Sequence, residues 1–326
     1  MKIGLPSALI NPYYISFWKT FFQDLGLEVI ESGKTTKKIL NKGIRFSVPE
    51  ICAPIKIYSG HVVELLDKGA DLIYIPRFVS IKKGDVFCPK FMALPDILKF
   101  SIPGLEEKML THHINAFDDD ISSENNYLKL GLRFTKDRKL VRKAIMNGRA
   151  AWLKFRKLCL EGYNCQASNK AVLSGDRPVI HEFPIKIGVI GYVYNLYDDI
   201  LSMDILNKLT ELGASSVTFE MLSKREIDSH LRGKQKNLFW TFSNKLMAGA
   251  YHFLEDKSID GLIHATAFGC GPDSFLGKML ELDSGLFGKP IMTIRLDEHS
   301  GENHQQTRVE AFVDMISKKK RMGESS

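Results

Sequence analysis

Three of the five cysteines in this 326-residue chain stand just ahead of a proline. Cys52 is followed two positions on by Pro54, Cys88 directly by Pro89, and Cys270 two positions on by Pro272. Proline is favoured in the first turn of a helix, where its missing N–H would have had no partner anyway. Each of these thiols is therefore expected at a strand-to-helix turn, beside unpaired backbone N–H groups and the positive end of a helix dipole. Such a place favours a thiolate or a bound anionic group. Cys159 and Cys165 have no proline nearby and read as small buried hydrophobes. No C-x-x-C run occurs, so a standard zinc or ferredoxin motif is absent. Spacing alone leaves two readings open: a three-cysteine metal site assembled from distant segments, or cysteines that only pack.

Glu50, Lys56 and His61 surround Cys52. A carboxylate and an imidazole there could donate protons or hydrogen-bond the sulfurs of a bound group, which makes Glu50 and His61 the catalytic candidates. A helix from Pro54 to Lys68 would also place Ile57, His61 and Leu65 together, so packing competes as the role of His61. Asp273 and Ser274 are placed to cap the helix after Cys270. Asp297, Glu298 and His299 follow the apolar run 290–296, at the strand end where open α/β sheets gather ligand groups, and Thr307 and Arg308 could pair with them. His112 and His113 read as surface residues. Phe17, Trp18, Phe21 and Phe22 form a helical stripe that reads as core.

The elements that must position these residues repeat. KIGLPSALINPY (2–13) and KIGVIGYVYNLY (186–197) align at one constant offset, and each runs into a helical pattern closed by Leu–Gly, at Leu25–Gly26 and Leu212–Gly213. LLDKGADLIYIP (65–76) and LEDKSIDGLIHA (254–265) pair Asp67, Lys68 and Asp71 with Asp256, Lys257 and Asp260. Short apolar runs after amphipathic stretches indicate βαβ units. The expected fold is α/β, with two flavodoxin-like (Rossmann-like) parallel-sheet lobes related by a weak duplication and joined by a long helix. Residues 1–115 form the lobe carrying Cys52 and Cys88, and 185–326 the lobe carrying Cys270. Between them, 116–184 holds a polar stretch (116–127), a long basic helix (136–161) and a second linker (176–184).

Composition narrows the class. Hydrophobic residues at 44% and charged residues at 25% describe a globular chain, and no apolar run approaches the roughly 20 residues of a membrane span. The opening MKIGLPSALI reads as a buried strand without a signal-peptide cleavage site. An odd cysteine count without an export signal points to the reducing cytoplasm. The net charge of +7 includes the run Lys318–Arg321, and no aromatic-plus-basic nucleic-acid motif accompanies it. No G-x-x-x-x-G-K-[ST] loop occurs, so the chain is not expected to be an ATPase itself.

Five stretches carry a family resemblance: KIGLPSALINPYYISFWKTFFQDLGLEVI (2–30), PEICAPIKIYSGHVVELLDKGADLIYIPR (49–77), FCPKFMALPDILK (87–99), FGCGPDSF (268–275) and DEHSGENHQQTRVEAF (297–312). In these the chain resembles the 2-hydroxyacyl-CoA dehydratase D-component family, and within it the acyl-CoA dehydratase activase-related branch. The resemblance implies that Cys52, Cys88 and Cys270 bind a [4Fe–4S] or related double-cubane cluster at the interface of two flavodoxin-like lobes. It further implies an ATP-hydrolysing activator protein as donor of low-potential electrons, and an iron–sulfur-dependent lyase or reductase acting on an acyl-CoA. A homo- or heterodimer with a related subunit is implied as well. The competing expectation is a non-catalytic binding or scaffold module with structural cysteines.

Overall fold

The computed structural model describes residues 1–231, 238–298 and 302–324. The described chain divides into two compact units. The first comprises Met1–Leu158, Cys165–Arg177 and Leu238–Thr241; the second is drawn from Cys159–Asn164, Pro178–Asn237 and Phe242–Ser326.

The strands are β1 (Lys2–Leu5), β2 (Glu28–Glu31), β3 (Leu72–Tyr74), β4 (Arg77–Ser80), β5 (Met109–Leu110), β6 (His113–Asn115), β7 (Ile185–Ile190), β8 (Ala214–Thr218), β9 (Gly261–Ala267) and β10 (Ile291–Leu296). The first unit holds a parallel sheet in the order β2-β1-β3-β5, and the second a parallel sheet in the order β8-β7-β9-β10. Counted among the strands of each sheet, both orders are second-first-third-fourth, the open doubly wound arrangement. The expected α/β class with two flavodoxin-like lobes is the one observed.

In the first unit β3 and β4 would form one strand but for Pro76, which lacks an N–H. The ladder stops at Ile75, bonded to the Leu110 carbonyl at 2.9 Å, and restarts at Arg77, bonded to His112 at 2.9 Å. The parallel pair β4-β6 is that continuation. Helix Asn11–Asp24 carries proline in its first turn and buries Phe17, Trp18, Phe21 and Phe22, so the aromatic stripe is core. The two Leu–Gly stops end their helices as read, with Gly26 at φ 77° and Gly213 at φ 71°, a backbone that glycine adopts without strain.

Helices Lys37–Arg45 and Ala53–Asp67 cross in near backbone contact. A Cβ on Gly43 would fall 1.8 Å from the carbonyl oxygen of Lys56, and one on Gly60 would fall 2.0 Å from that of Ile39. Lys42 spans the same crossing, with Nζ 2.5 Å from Glu64 and 2.6 Å from Asp67.

The long basic helix runs Arg138–Leu160. The polar stretch before it is tied to the first unit: Ala116 N–H bonds to Ser80, the Tyr14 hydroxyl donates to the Asp119 carbonyl at 3.0 Å, and Arg149 pairs with Asp120 at 2.6 Å. Ile121 in that stretch is buried. The segment Leu238–Thr241 also belongs to the first unit, where Trp240 forms a parallel bridge with Val86. Among the described residues no helix is long and apolar enough to cross a membrane.

Candidate functional site: the cysteine turns

Cys52 and Cys88 each occupy the residue just outside a helix, Ala53–Asp67 and Pro89–Met92 respectively, with extended backbone and proline in the first turn. In a parallel α/β unit the helices run back against the strands. Their N-termini therefore lie at the carboxyl edge of the sheet, where ligands bind. Cys88 follows β4, the continuation of the third strand of its unit. Cys270 follows β9, the third strand of the other, and is the N-terminal flanking residue of helix Gly271–Asp283.

None of the five cysteines is in a disulfide. Cys159 and Cys165 are fully buried, whereas Cys52, Cys88 and Cys270 are partly exposed. Removal from water pushes the Cys52 thiol up, and the nearby Lys90 ammonium, the Ile55 N–H and Lys56 pull it back. Burial raises Cys88 as well, and the charge of Cys52 adds to that. The Phe91 and Lys90 N–H groups and the Lys90 charge oppose it. The two sulfurs thus share one electrostatic neighbourhood, with Lys90 acting on both. Neither makes a conventional capping bond to its helix.

The loop before Cys88 is clipped on both sides. Phe87 N–H donates to the Val79 carbonyl at 3.0 Å; Val86 N–H donates to the Phe239 carbonyl and the Val86 carbonyl accepts from Thr241 N–H, each at 3.0 Å. A cavity of about 20 Å³ opens in the first unit between residues that include Leu5, Leu9, Tyr58, Pro76 and Phe91. That space holds about one water. Tyr58 stands on the helix of Cys52 and Phe91 on that of Cys88. Leu9, at φ 53°, is a non-glycine residue held in the left-handed region at its wall.

The catalytic candidates go to different places. Glu50 is exposed two residues before Cys52. His61 lies nine residues along the helix from Cys52, a rise of roughly 13 Å. It is fully buried, with Nδ1 2.7 Å from Ser32 Oγ and Nε2 2.8 Å from Thr35 Oγ1. Burial lowers its pKa to about 4, so the ring is neutral at pH 7 and engaged with two hydroxyls. His112 is no surface residue: it bonds the Tyr74 hydroxyl at 2.8 Å and burial likewise lowers it to about 4. Asp273 does not cap its helix. Its carboxylate lies 2.9 Å from His264 Nε2, a partner that sequence reasoning missed. Arg308 donates to the Thr293 carbonyl and to Gln305. Asp297 and Glu298 follow β10 as read, and His299 lies outside the described residues.

Within either unit, no three His, Cys, Asp or Glu side chains among the described residues surround a point where one metal ion could sit. The donor chemistry of the first unit does suit a thiolate-held anionic group. It offers two reduced, partly exposed thiols at adjacent helix starts, with a lysine beside both.

No curated protein matches the chain. Among solved structures it is similar to one described as a "putative phosphosugar isomerase from Silicibacter pomeroyi DSS-3", at 10% identity and TM-score 0.20, over 98% of this chain and 86% of that one. A likeness that slight carries no argument. Residues 2–222 match the family model described as the CoA enzyme activase uncharacterised domain, a span that includes Cys52 and Cys88 and ends before Cys270. That match covers more than half of the sequence, and the chain belongs to the CoA enzyme activase uncharacterised domain family.

Proposed function

We propose that this protein is an iron–sulfur component of the 2-hydroxyacyl-CoA dehydratase type, with Cys52, Cys88 and Cys270 as the cluster ligands. In this reading it accepts low-potential electrons from an ATP-hydrolysing activator for reductive or radical chemistry, with dehydration of a 2-hydroxyacyl-CoA as the reaction. The observation that carries the reading is the pair of reduced thiols at two helix starts of one sheet edge, both under the charge of Lys90.

When bound, such a cluster supplies a one-electron centre. The chain's own part is to hold it and balance its charge. With burial pushing both thiols up, the metal-free pair favours the neutral form, and binding must release their protons. Lys90 and the first-turn N–H groups lower the cost of the resulting negative charge. The fully buried, neutral His61 is held by Ser32 and Thr35 and orders the strand-end loop, while Glu50 is the carboxylate open to solvent beside Cys52.

Anaerobic purification tests the proposal. The expected product is brown, with iron and sulfide near stoichiometric for a cluster. Cys52→Ser, Cys88→Ser and Cys270→Ser should each lose most of the iron, and Cys159→Ser and Cys165→Ser should keep it. A colourless, iron-free protein after anaerobic reconstitution would overturn the proposal in favour of a scaffold module.

A further inference from the structure

The turn that presents Cys270 is closed from behind by a buried pair. His264 lies on β9, before the turn, and Asp273 in the first turn of the following helix, after it. Their side chains meet at 2.9 Å, with exposures of 1% and 0%. The path from His264 through Ala267, Gly269 and Cys270 to Asp273 therefore becomes a ring, shut by the imidazole–carboxylate contact. Within it Cys270 N–H bonds to the Ala267 carbonyl at 3.1 Å and Ser274 N–H to the Cys270 carbonyl at 2.9 Å. Gly269 takes φ 73°, the sharp reversal such a short ring requires.

The pair is kept against ordinary packing preferences. His264 Nδ1, Asp273 Oδ2 and the neighbouring Thr266 Oγ1 are all buried without a partner among the described residues. A buried polar pair with unfilled bonds is a poor way to gain stability compared with apolar packing. Gly277 makes room for it: a Cβ there would lie 3.0 Å from His264 Cε1 and 3.2 Å from Nδ1. What the pair does achieve is a fixed angle between strand and helix at the residue that separates them.

We propose that His264 and Asp273 are positioning residues that clamp the Cys270 turn and hold its sulfur in a single ligand-ready pose. This rests on the cysteine assignment above, but the clamp itself is testable without metal. The experiment is iodoacetamide alkylation of the reduced, chelator-treated full chain, with mass spectrometry resolving Cys52, Cys88 and Cys270. Asp273→Ala should speed alkylation of Cys270 at least fivefold and leave Cys52 and Cys88 within twofold. Asp273→Asn, which keeps a hydrogen bond to the imidazole, should return Cys270 to within twofold of the unmodified chain. A folded Asp273→Ala protein with unchanged Cys270 reactivity overturns the clamp. So does a parallel rise at all three cysteines, or an Asn variant as reactive as the Ala one. If Asp273→Ala does not fold, Gly277→Ala, which pushes on the His264 ring, should raise Cys270 alkylation about twofold, and no change there overturns the clamp. Iron retention under chelator provides the second arm. Unmodified protein that never binds iron defeats the cluster assignment, and the alkylation result still decides the clamp.

Discussion

The Asp71 carboxylate accepts a hydrogen bond from the Lys2 backbone N–H at 2.7 Å, while Asp71 N–H returns one to the Lys2 carbonyl at 3.0 Å. The second unit repeats the exchange: Asp260 accepts from Lys186 N–H at 2.8 Å and donates to its carbonyl at 2.7 Å. An aspartate at the start of the third strand thus locks the start of the first in both sheets. Asp260 also pairs with Lys320 at 3.0 Å, whereas Asp71 is exposed. Asp260→Ala should therefore destabilise by about 2 kcal/mol and Asp71→Ala by about 1 kcal/mol or less. Chemical denaturation of the two variants measures the difference, and equal losses would show that the second copy gains nothing from Lys320.

His61 and His112 make stability depend on mild acid. Both are lowered from 6.5 to about 4 in the folded chain, so between these values the unfolded chain binds more protons than the folded one. Stability is then complete above about pH 6.5 and falls as the pH drops towards 4. Near pH 5 each histidine should contribute a slope of roughly one proton, or about 1.4 kcal/mol per pH unit. Urea unfolding between pH 7 and pH 5 should show this, and His61→Gln should remove close to one proton from the slope. An unaltered slope in that variant would mean that His61 is not held neutral by burial.

The crossing at Gly43 tolerates no side chain. A methyl group there meets the Lys56 backbone, not a flexible side chain, so the helix of Cys52 must shift bodily. Gly43→Ala should cost about 3 kcal/mol or more, at the top of the range for overpacking. Thermal unfolding would read it as a drop of several degrees, and an unchanged midpoint would refute the close crossing.

Proteolysis should distinguish the two stretches that read alike as linkers. Residues 116–127 are bonded to the first unit through Tyr14, Ser80 and Arg149, but 175–183 have no regular structure and 175–182 are exposed. Brief digestion with subtilisin should cut first within 175–183. Early cleavage within 116–127, read by mass spectrometry of the fragments, would contradict the packing of Ile121 and Asp119.

Much of the scaffold was legible because it is written locally. Apolar runs of strand length, the Leu–Gly stops and the Lys-Ile-Gly starts are short-range signals, and the aligned Asp71 and Asp260 proved to make the same contact. The proline rule placed all three cysteines at helix starts, since a proline in the first turn acts on its immediate neighbours. The roles of His61 and His112 were not legible, because their partners come from elsewhere in the chain. Ser32 and Thr35 are more than 25 residues from His61, and Tyr74 is 38 residues from His112. Asp273 carried a local capping signal, but the contact to His264, nine residues back across the turn, prevailed. The crossing at Gly43 and Gly60 was equally hidden, since spacing does not say which helix faces which.

The bridge between Val86 and Trp240 bears on how the protein is made. Chains emerge from the ribosome N-terminus first, at roughly 5–20 residues per second. The segment that clips the Cys88 loop is encoded about 150 residues downstream of it, so the first unit stays unfinished until about three quarters of the chain has been translated. The two hydrogen bonds that tie Val86 to Phe239 and Thr241 can form only once Thr241 has been translated. No single cut in the gene yields two complete halves, because the first unit ends inside the second. Under the proposed function, loading of the cluster is therefore expected to follow translation, not accompany it.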